Sequence, residues 1–296
     1  MSKKPILDLI KERILILDGA MGSMLIAQGF PVGTPLEIWN IENPEIIKTI
    51  HKDYFIAGSD VVLTNTFGGS ALKLAAYKHG SSIENYNSKA AEIALEVCPE
   101  NGYVAGDIGP SGAFLPPVGS ATIEDFEENF LEQAQILAKA KVDFFIIETM
   151  IDINEAIAAV KSVKKVSNFP VFASIAYQKK PKGYFTVMGD SVEKCVKELE
   201  TAGADVIGAN CSIGSDEMID LITQIKQITK LPIMAKPNAG KPELINGETI
   251  YSTKSADFAK DIMQMVEAGA RAVGGCCGTS PEFIKEIKHL VNMWEK

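Results

Sequence analysis

The stretch FFIIETMIDINEAIAAVKSVKKVSNFPVFASIA, residues 144–176, decides the reading of the fold. Two short apolar runs, Phe144–Glu148 and Val171–Ala176, flank a longer segment whose apolar residues recur with helical period. Strand, helix and strand in that order form a βαβ unit, and strands this apolar are buried on both faces of a parallel sheet. The same alternation continues in both directions. Runs at Ile14–Leu17, Val61–Thr64, Tyr103–Asp107, Val206–Cys211, Ile233–Lys236 and Ala272–Cys276 bring the total to eight, each followed by an amphipathic segment. Eight strand–helix units in 296 residues predict a (β/α)8 TIM barrel, one domain over residues 1–296. A doubly wound open sheet is the alternative, and the eighth strand with its closing helix disfavours it. Asn43-Pro44, Thr122 with Asp125 three residues on, and Ser280-Pro281 read as helix starts that support the register.

Composition excludes several classes of function. A hydrophobic fraction of 46% lets a chain of this length bury a large core. The net charge of −9 argues against a nucleic-acid or anionic-membrane partner, each of which calls for a basic face. No stretch is long and apolar enough to span a bilayer, and Met1–Arg13 is too interrupted by charge to be a secretion signal. Five cysteines without a secretory signal predict a reducing, cytoplasmic setting, where neighbouring thiols bind metal or react more often than they pair.

Active sites of barrels of this kind collect at the C-terminal ends of the strands, and the polar residues of this sequence fall there. The ends read Asp18-Gly19-Ala20, Thr64-Asn65-Thr66, Asp107, Glu148-Thr149, Asn210-Cys211, Pro237-Asn238 and Cys276-Cys277. Adjacent cysteines between glycines can turn both sulfurs to one ion where a strand ends. The sixth and eighth strands are separated by one strand in the ring, so Cys211 can join them. Three thiolates leave one tetrahedral position open, which is the arrangement of a catalytic zinc rather than a structural one. His51, His79 and His289 all fall in helical stretches, and none is an evident fourth ligand. Any one of these cysteines alone reads more simply as a small buried hydrophobe; the grouping of three changes that.

The set Asp18-Gly19-Ala20-Met21-Gly22, Thr64-Asn65-Thr66-Phe67, Gly106-Asp107-Ile108-Gly109-Pro110, Glu148-Thr149, Asn210-Cys211, Pro237-Asn238-Ala239-Gly240 and Gly274-Gly275-Cys276-Cys277-Gly278 resembles the homocysteine S-methyltransferase family. It looks closest to the homocysteine-binding module of cobalamin-dependent methionine synthase, and the likeness runs from the first strand to the last. Ser23 departs from the threonine common in the family and keeps the hydroxyl. A free-standing barrel is expected, with no folate-binding, cobalamin-binding or reactivation domain after Lys296.

The resemblance implies that Cys211, Cys276 and Cys277 hold Zn2+, that homocysteine sulfur takes the open position, and that Asn238 fills it before substrate arrives. It implies homocysteine-binding roles for Asp18, Gly19, Ala20, Glu148 and Asn210. Glu148 is the expected partner of the substrate ammonium, assisted by Asp18, and the amides around Gly19 and Ala20 are expected to take the carboxylate. Asp107 reads as mainly structural. Ser111 to Ser120, Gln178 to Asp190 and Lys241 to Ser252 are long loops on the same face, the third carrying a hairpin turn at Asn246-Gly247.

The function expected is zinc-dependent transfer of a methyl group to homocysteine, giving methionine. The donor expected is a methylcorrinoid such as methylcobalamin, free or on a separate corrinoid protein and not bound within this chain. S-methylmethionine or a betaine is the alternative donor. Two rival readings are a zinc- or thiol-binding barrel without turnover and an aldolase-like barrel using Lys236, whose pKa desolvation would lower. Helix faces do not decide the oligomeric state, and a homo-oligomer stays open.

Overall fold

In the computed structural model, residues 3–31, 33–166, 168–245 and 248–295 are described. Eight parallel strands form one sheet: β1 (Leu15–Ile16), β2 (Val61–Leu63), β3 (Tyr103–Ile108), β4 (Phe144–Met150), β5 (Val171–Ile175), β6 (Val206–Gly214), β7 (Ile233–Asn238) and β8 (Ala270–Val273). Their order is β1-β8-β7-β6-β5-β4-β3-β2, and helices lie between successive strands. The fold is a nearly closed (β/α)8 barrel.

Strand parity explains the packing, because alternate side chains point to opposite faces. Leu15, Leu17, Val61, Leu63, Tyr103, Ala105, Phe144, Ile146, Phe172, Val206, Met234 and Ala272 fill the barrel interior as one cluster. Their neighbours Ile16, Val62, Val104, Phe145, Ile147, Ala173, Ile207, Ala235 and Val273 pack outward under the helices. The short helix Ile6–Glu12 adds Ile6 and Ile10 to the interior cluster and so closes one end. Continuing the inward parity towards the other end brings in Asp107, Glu148, Ser174, Asn210 and Lys236, so a polar layer sits on top of the apolar ones.

The seam of the ring lies between β1 and β2, which do not pair as strands. Side chains bridge it. Asp60 donates its N–H to the Ile16 carbonyl at 2.7 Å, and its carboxylate accepts the Ile16 N–H at 2.9 Å. The Asp18 carboxylate accepts the Leu63 N–H at 2.7 Å further along, and Arg13 holds Asp60 with two bonds of 2.7 and 2.9 Å. Asp60→Ala would leave the Ile16 amide without its acceptor and Arg13 with the Ile14 carbonyl in place of a carboxylate. The expected loss is about 2–3 kcal/mol, read as a lower urea midpoint at unchanged m.

Several boundaries differ from the sequence reading. β8 ends at Val273, so Cys276 and Cys277 lie in the loop beyond it; that loop stays zipped to β7 by Gly274 N–H to Ala235 O (3.1 Å) and Cys276 N–H to Pro237 O (2.8 Å). β6 runs on to Gly214 through an irregularity after Asn210. Thr122 and Asp125 form a complete capping box, whereas Asn43 and Ser280 precede helices at Pro44 and Pro281 without capping them through their side chains. His79 falls between helices, while His51 and His289 are helical. Two of the long loops carry antiparallel pairs, Gln178–Lys180 with Gly183–Phe185 and Pro242–Ile245 with Glu248–Tyr251. The turn expected at Asn246-Gly247 lies outside the described residues. Among the described residues no helix is long and apolar enough to cross a membrane.

Candidate active site

A cavity of about 200 Å³ opens at the polar end of the barrel. Asp18, Gly19, Ala20, Met21 and Gly22 line it together with Asp107, Glu148, Lys236, Cys211, Cys276 and Cys277, and Leu36, Leu63 and Phe67 form apolar walls. Every predicted site residue except Asn210 and Asn238 faces this one space.

The sulfur atoms of Cys211, Cys276 and Cys277 lie within 4.8 Å of one another, with the Cys211 and Cys277 sulfurs 3.9 Å apart. Backbone geometry brings them together. Cys211 and Ser212 both have φ of 60°, so the chain turns sharply where β6 should run straight. Gly275 donates its N–H to the Asp18 carbonyl at 3.0 Å, and a Cβ there would collide with Thr279. Only glycine allows that approach. The Ala239 N–H also bonds the Cys277 carbonyl at 2.9 Å, which sets the end of β7 beside the cysteine pair.

The three thiols are short of positive charge. Hydrogen bonds from Cys211 and Cys276 pull Cys277 down to about 3. The bond from Cys276 lowers Cys211, but its bond to Cys277 and burial leave it at about 11. Cys276 is pushed well above the usual thiol value by its hydrogen bonds with both neighbours and by burial. One sulfur thus holds a negative charge and the others resist adding to it, an arrangement that a cation would relieve. The Asn238 side-chain oxygen is buried and has no partner among the described residues, at the end of β7 outside the cavity lining. The three sulfurs are a donor set that fits a zinc ion.

The same cavity is lined by a buried charge cluster. Lys236, 2% exposed, donates to Glu148 at 2.7 Å and lies 3.8 Å from Asp18. Burial works to lower its pKa, but Glu148 and Asp18 outweigh burial and hold it above the usual lysine value. Lys236 is therefore a fixed cation, which corrects the lowered pKa on which the aldolase reading depended. Burial raises Asp18 to about 7 against the pull of Lys236 and the Leu63 amide. Burial and the nearby Glu148 carry Asp107 well above the carboxylate range. One oxygen each of Asp18 and Asp107 has no hydrogen-bond partner among the described residues. These are the vacant acceptors of the cavity, whereas Glu148 is already engaged by Lys236.

Two expected roles change with this geometry. Ala20 donates its N–H to Thr279 Oγ1 at 3.1 Å, so that amide is not available to a carboxylate. Asn210 is fully buried and absent from the cavity lining; its amide bonds Thr149 and Ser174 instead. Sequence reasoning also passed over Asp107 as structural. Its signal was strand parity, since Tyr103 and Ala105 point inward and Asp107 is next in that series.

The sequence model of the homocysteine S-methyltransferase family matches residues 15–291. The chain belongs to the homocysteine S-methyltransferase family. Among its relatives is a methionine synthase of Mycobacterium tuberculosis, 30% identical over 304 residues that cover 97% of this chain and 25% of that protein. The chain thus spans about a quarter of the length of that relative. The barrel is also similar to the homocysteine methyltransferase MmuM from Escherichia coli. Its metallated form has a TM-score of 0.81 at 24% identity, covering 97% of this chain and 100% of that one. The oxidised form gives 0.79 at 25% identity over the same shares.

Proposed function

We propose that this methyltransferase-family barrel transfers a methyl group to the thiol of homocysteine, giving methionine, with Cys211, Cys276 and Cys277 holding Zn2+. The observation that carries the reading is one cavity lined both by three clustered thiols and by carboxylate oxygens that have no partner among the described residues. A thiol amino acid has a sulfur to offer the thiol cluster's metal and an ammonium to offer those oxygens. Zinc, when bound, makes the substrate thiol acidic enough to react as thiolate at neutral pH.

The chain's own residues have separate tasks. Asp18 and Asp107 offer oxygens to the ammonium, and Glu148 keeps Lys236 beneath them as counter-charge. The first-turn amides of the helix Met21–Ala27, which border the cavity and have no intrahelical acceptors, suit the carboxylate beside Gly19. Asn238 is the candidate to occupy the metal before substrate arrives. Apolar walls at Leu36, Leu63 and Phe67 keep water from the sulfur.

For the donor, likeness to the homocysteine module of cobalamin-dependent methionine synthase supports a methylcorrinoid, free or carried by a protein, working in a reducing cytoplasm. The test is methylation of homocysteine by the zinc-loaded protein with methylcobalamin, S-methylmethionine and glycine betaine in parallel. Activity with methylcobalamin supports the donor assignment; activity with either of the others supports the reaction and replaces the donor. Silence with all three, and with a corrinoid protein added, contradicts the reading.

A pH dependence follows from Asp18. Below about 7 its carboxyl holds a proton and offers the ammonium no charge; above that it is ionised. The KM for homocysteine is therefore expected to fall as pH rises through about 7, and Asp18→Asn should flatten the profile while raising KM. A pH-independent KM between 6 and 8 in the unmutated protein would contradict this role.

A further inference from the structure

The amide of Asn210 joins two strands of the site that do not pair with each other. Thr149, at the end of β4, has φ of 62°. For a β-branched residue this left-handed conformation is strained and persists only when its surroundings enforce it. Asn210, on β6, supplies the enforcement. Its Oδ1 accepts the Thr149 N–H at 2.7 Å and the Ser174 hydroxyl at 2.6 Å. Its Nδ2 donates to Thr149 Oγ1 at 2.7 Å and lies 3.9 Å from the Cys276 sulfur. The Thr149 N–H can face only an oxygen, so the orientation of the amide follows, and all its hydrogen-bonding capacity is used. β4 and β6 are not neighbours, since β5 runs between them. The bridge crosses β5 over Ser174.

We infer that Asn210 is a positioning residue: it locks Thr149 in the left-handed conformation and so fixes the distance between the cysteine cluster and Glu148. Cys211 follows Asn210 directly, the Cys276 sulfur touches its amide, and Glu148 directly precedes Thr149. A change in any of these contacts alters the span that a thiol amino acid must match between its sulfur and its ammonium. The inference deepens the homocysteine reading and rests on it for the kinetic part of its test.

The experiment compares four proteins: unmutated, Asn210→Ala, Thr149→Gly and the double variant. Glycine adopts φ near 62° without strain, so in the Thr149→Gly background there is nothing for the amide to enforce. Asn210→Ala is expected to raise KM for homocysteine at least about tenfold with a smaller change in kcat, and to raise it less than about threefold in the Thr149→Gly background. In the metal-free proteins, Asn210→Ala is expected to lower Tm by at least about 4 °C, and by less than half as much in the Thr149→Gly background. Equal effects in both backgrounds would overturn the inference. Should Asn210→Ala not fold, Thr149→Val removes only the hydroxyl that Nδ2 bonds, and an unchanged KM and Tm would overturn it equally. If the unmutated protein transfers methyl from no donor, the homocysteine reading fails and the melting comparison still decides the clamp.

Discussion

Cys276→Ala is expected to abolish stoichiometric zinc binding and to lower homocysteine methylation by more than about 1,000-fold, since even changes outside the ligand set cost 10–100-fold in metal affinity or activity. The size of the effect comes from the trio acting as one unit. The three sulfurs share a space of 4.8 Å and couple their protons, so two of them cannot keep the metal as three do. Cys277→Ala should behave alike. Cys195 is the control: it is buried in the outer core and belongs neither to the cavity lining nor to the thiol cluster, so Cys195→Ser should leave metal content at one per chain. Elemental analysis alongside the methylation rate checks all three variants. Full zinc and activity in Cys276→Ala would remove the basis of the proposed function.

The second large effect is expected at Lys236, whose ammonium is the counter-charge to Glu148 and Asp18 within the barrel. Lys236→Met keeps the volume and removes the charge. Buried carboxylates left without a partner cost about 3–5 kcal/mol, to be measured by urea unfolding. The loss should be pH-dependent, with a definite sign. Asp18 already has a folded-state pKa raised from 3.8 to about 7, so its protonated form contributes stability that is present below 3.8 and lost as pH rises through about 7. Lys236 is the largest influence lowering that pKa, so its removal raises it further and extends the loss to higher pH. The variant should be closest to the unmutated protein in acid and fall away above neutrality. Equal stability of the two proteins at pH 8 would contradict the cluster as described.

The barrel was legible because eight apolar runs at similar spacing admit few other arrangements, and because parallel strands buried on both faces read as continuous hydrophobic segments. The three cysteines were legible for a different reason: clustered soft ligands at strand ends have little structural use. What stayed hidden depends on distances that no local pattern encodes. Glu148 looked like a vacant acid in the sequence, but Lys236, 88 positions away, occupies it. The lysine looked as if burial would deprotonate it, and the carboxylates around it reverse the sign. Asn210 was expected at the substrate through the family resemblance; it is buried outside the cavity lining, with its amide bonded to Thr149 and Ser174, while the left-handed backbone at Cys211 accompanies a sulfur that lines the cavity. The seam at Asp60 was equally invisible, because a two-residue strand gives no sign of which side chain will complete its hydrogen bonds.

The most direct test of the central claim is X-ray absorption at the zinc edge of the purified protein, without and with homocysteine. The account predicts three sulfur ligands and one oxygen ligand in the free protein, with sulfur at about 2.3 Å, changing to four sulfurs when homocysteine is added. A zinc shell that does not change on addition of homocysteine, or one without three sulfurs at the start, would contradict it.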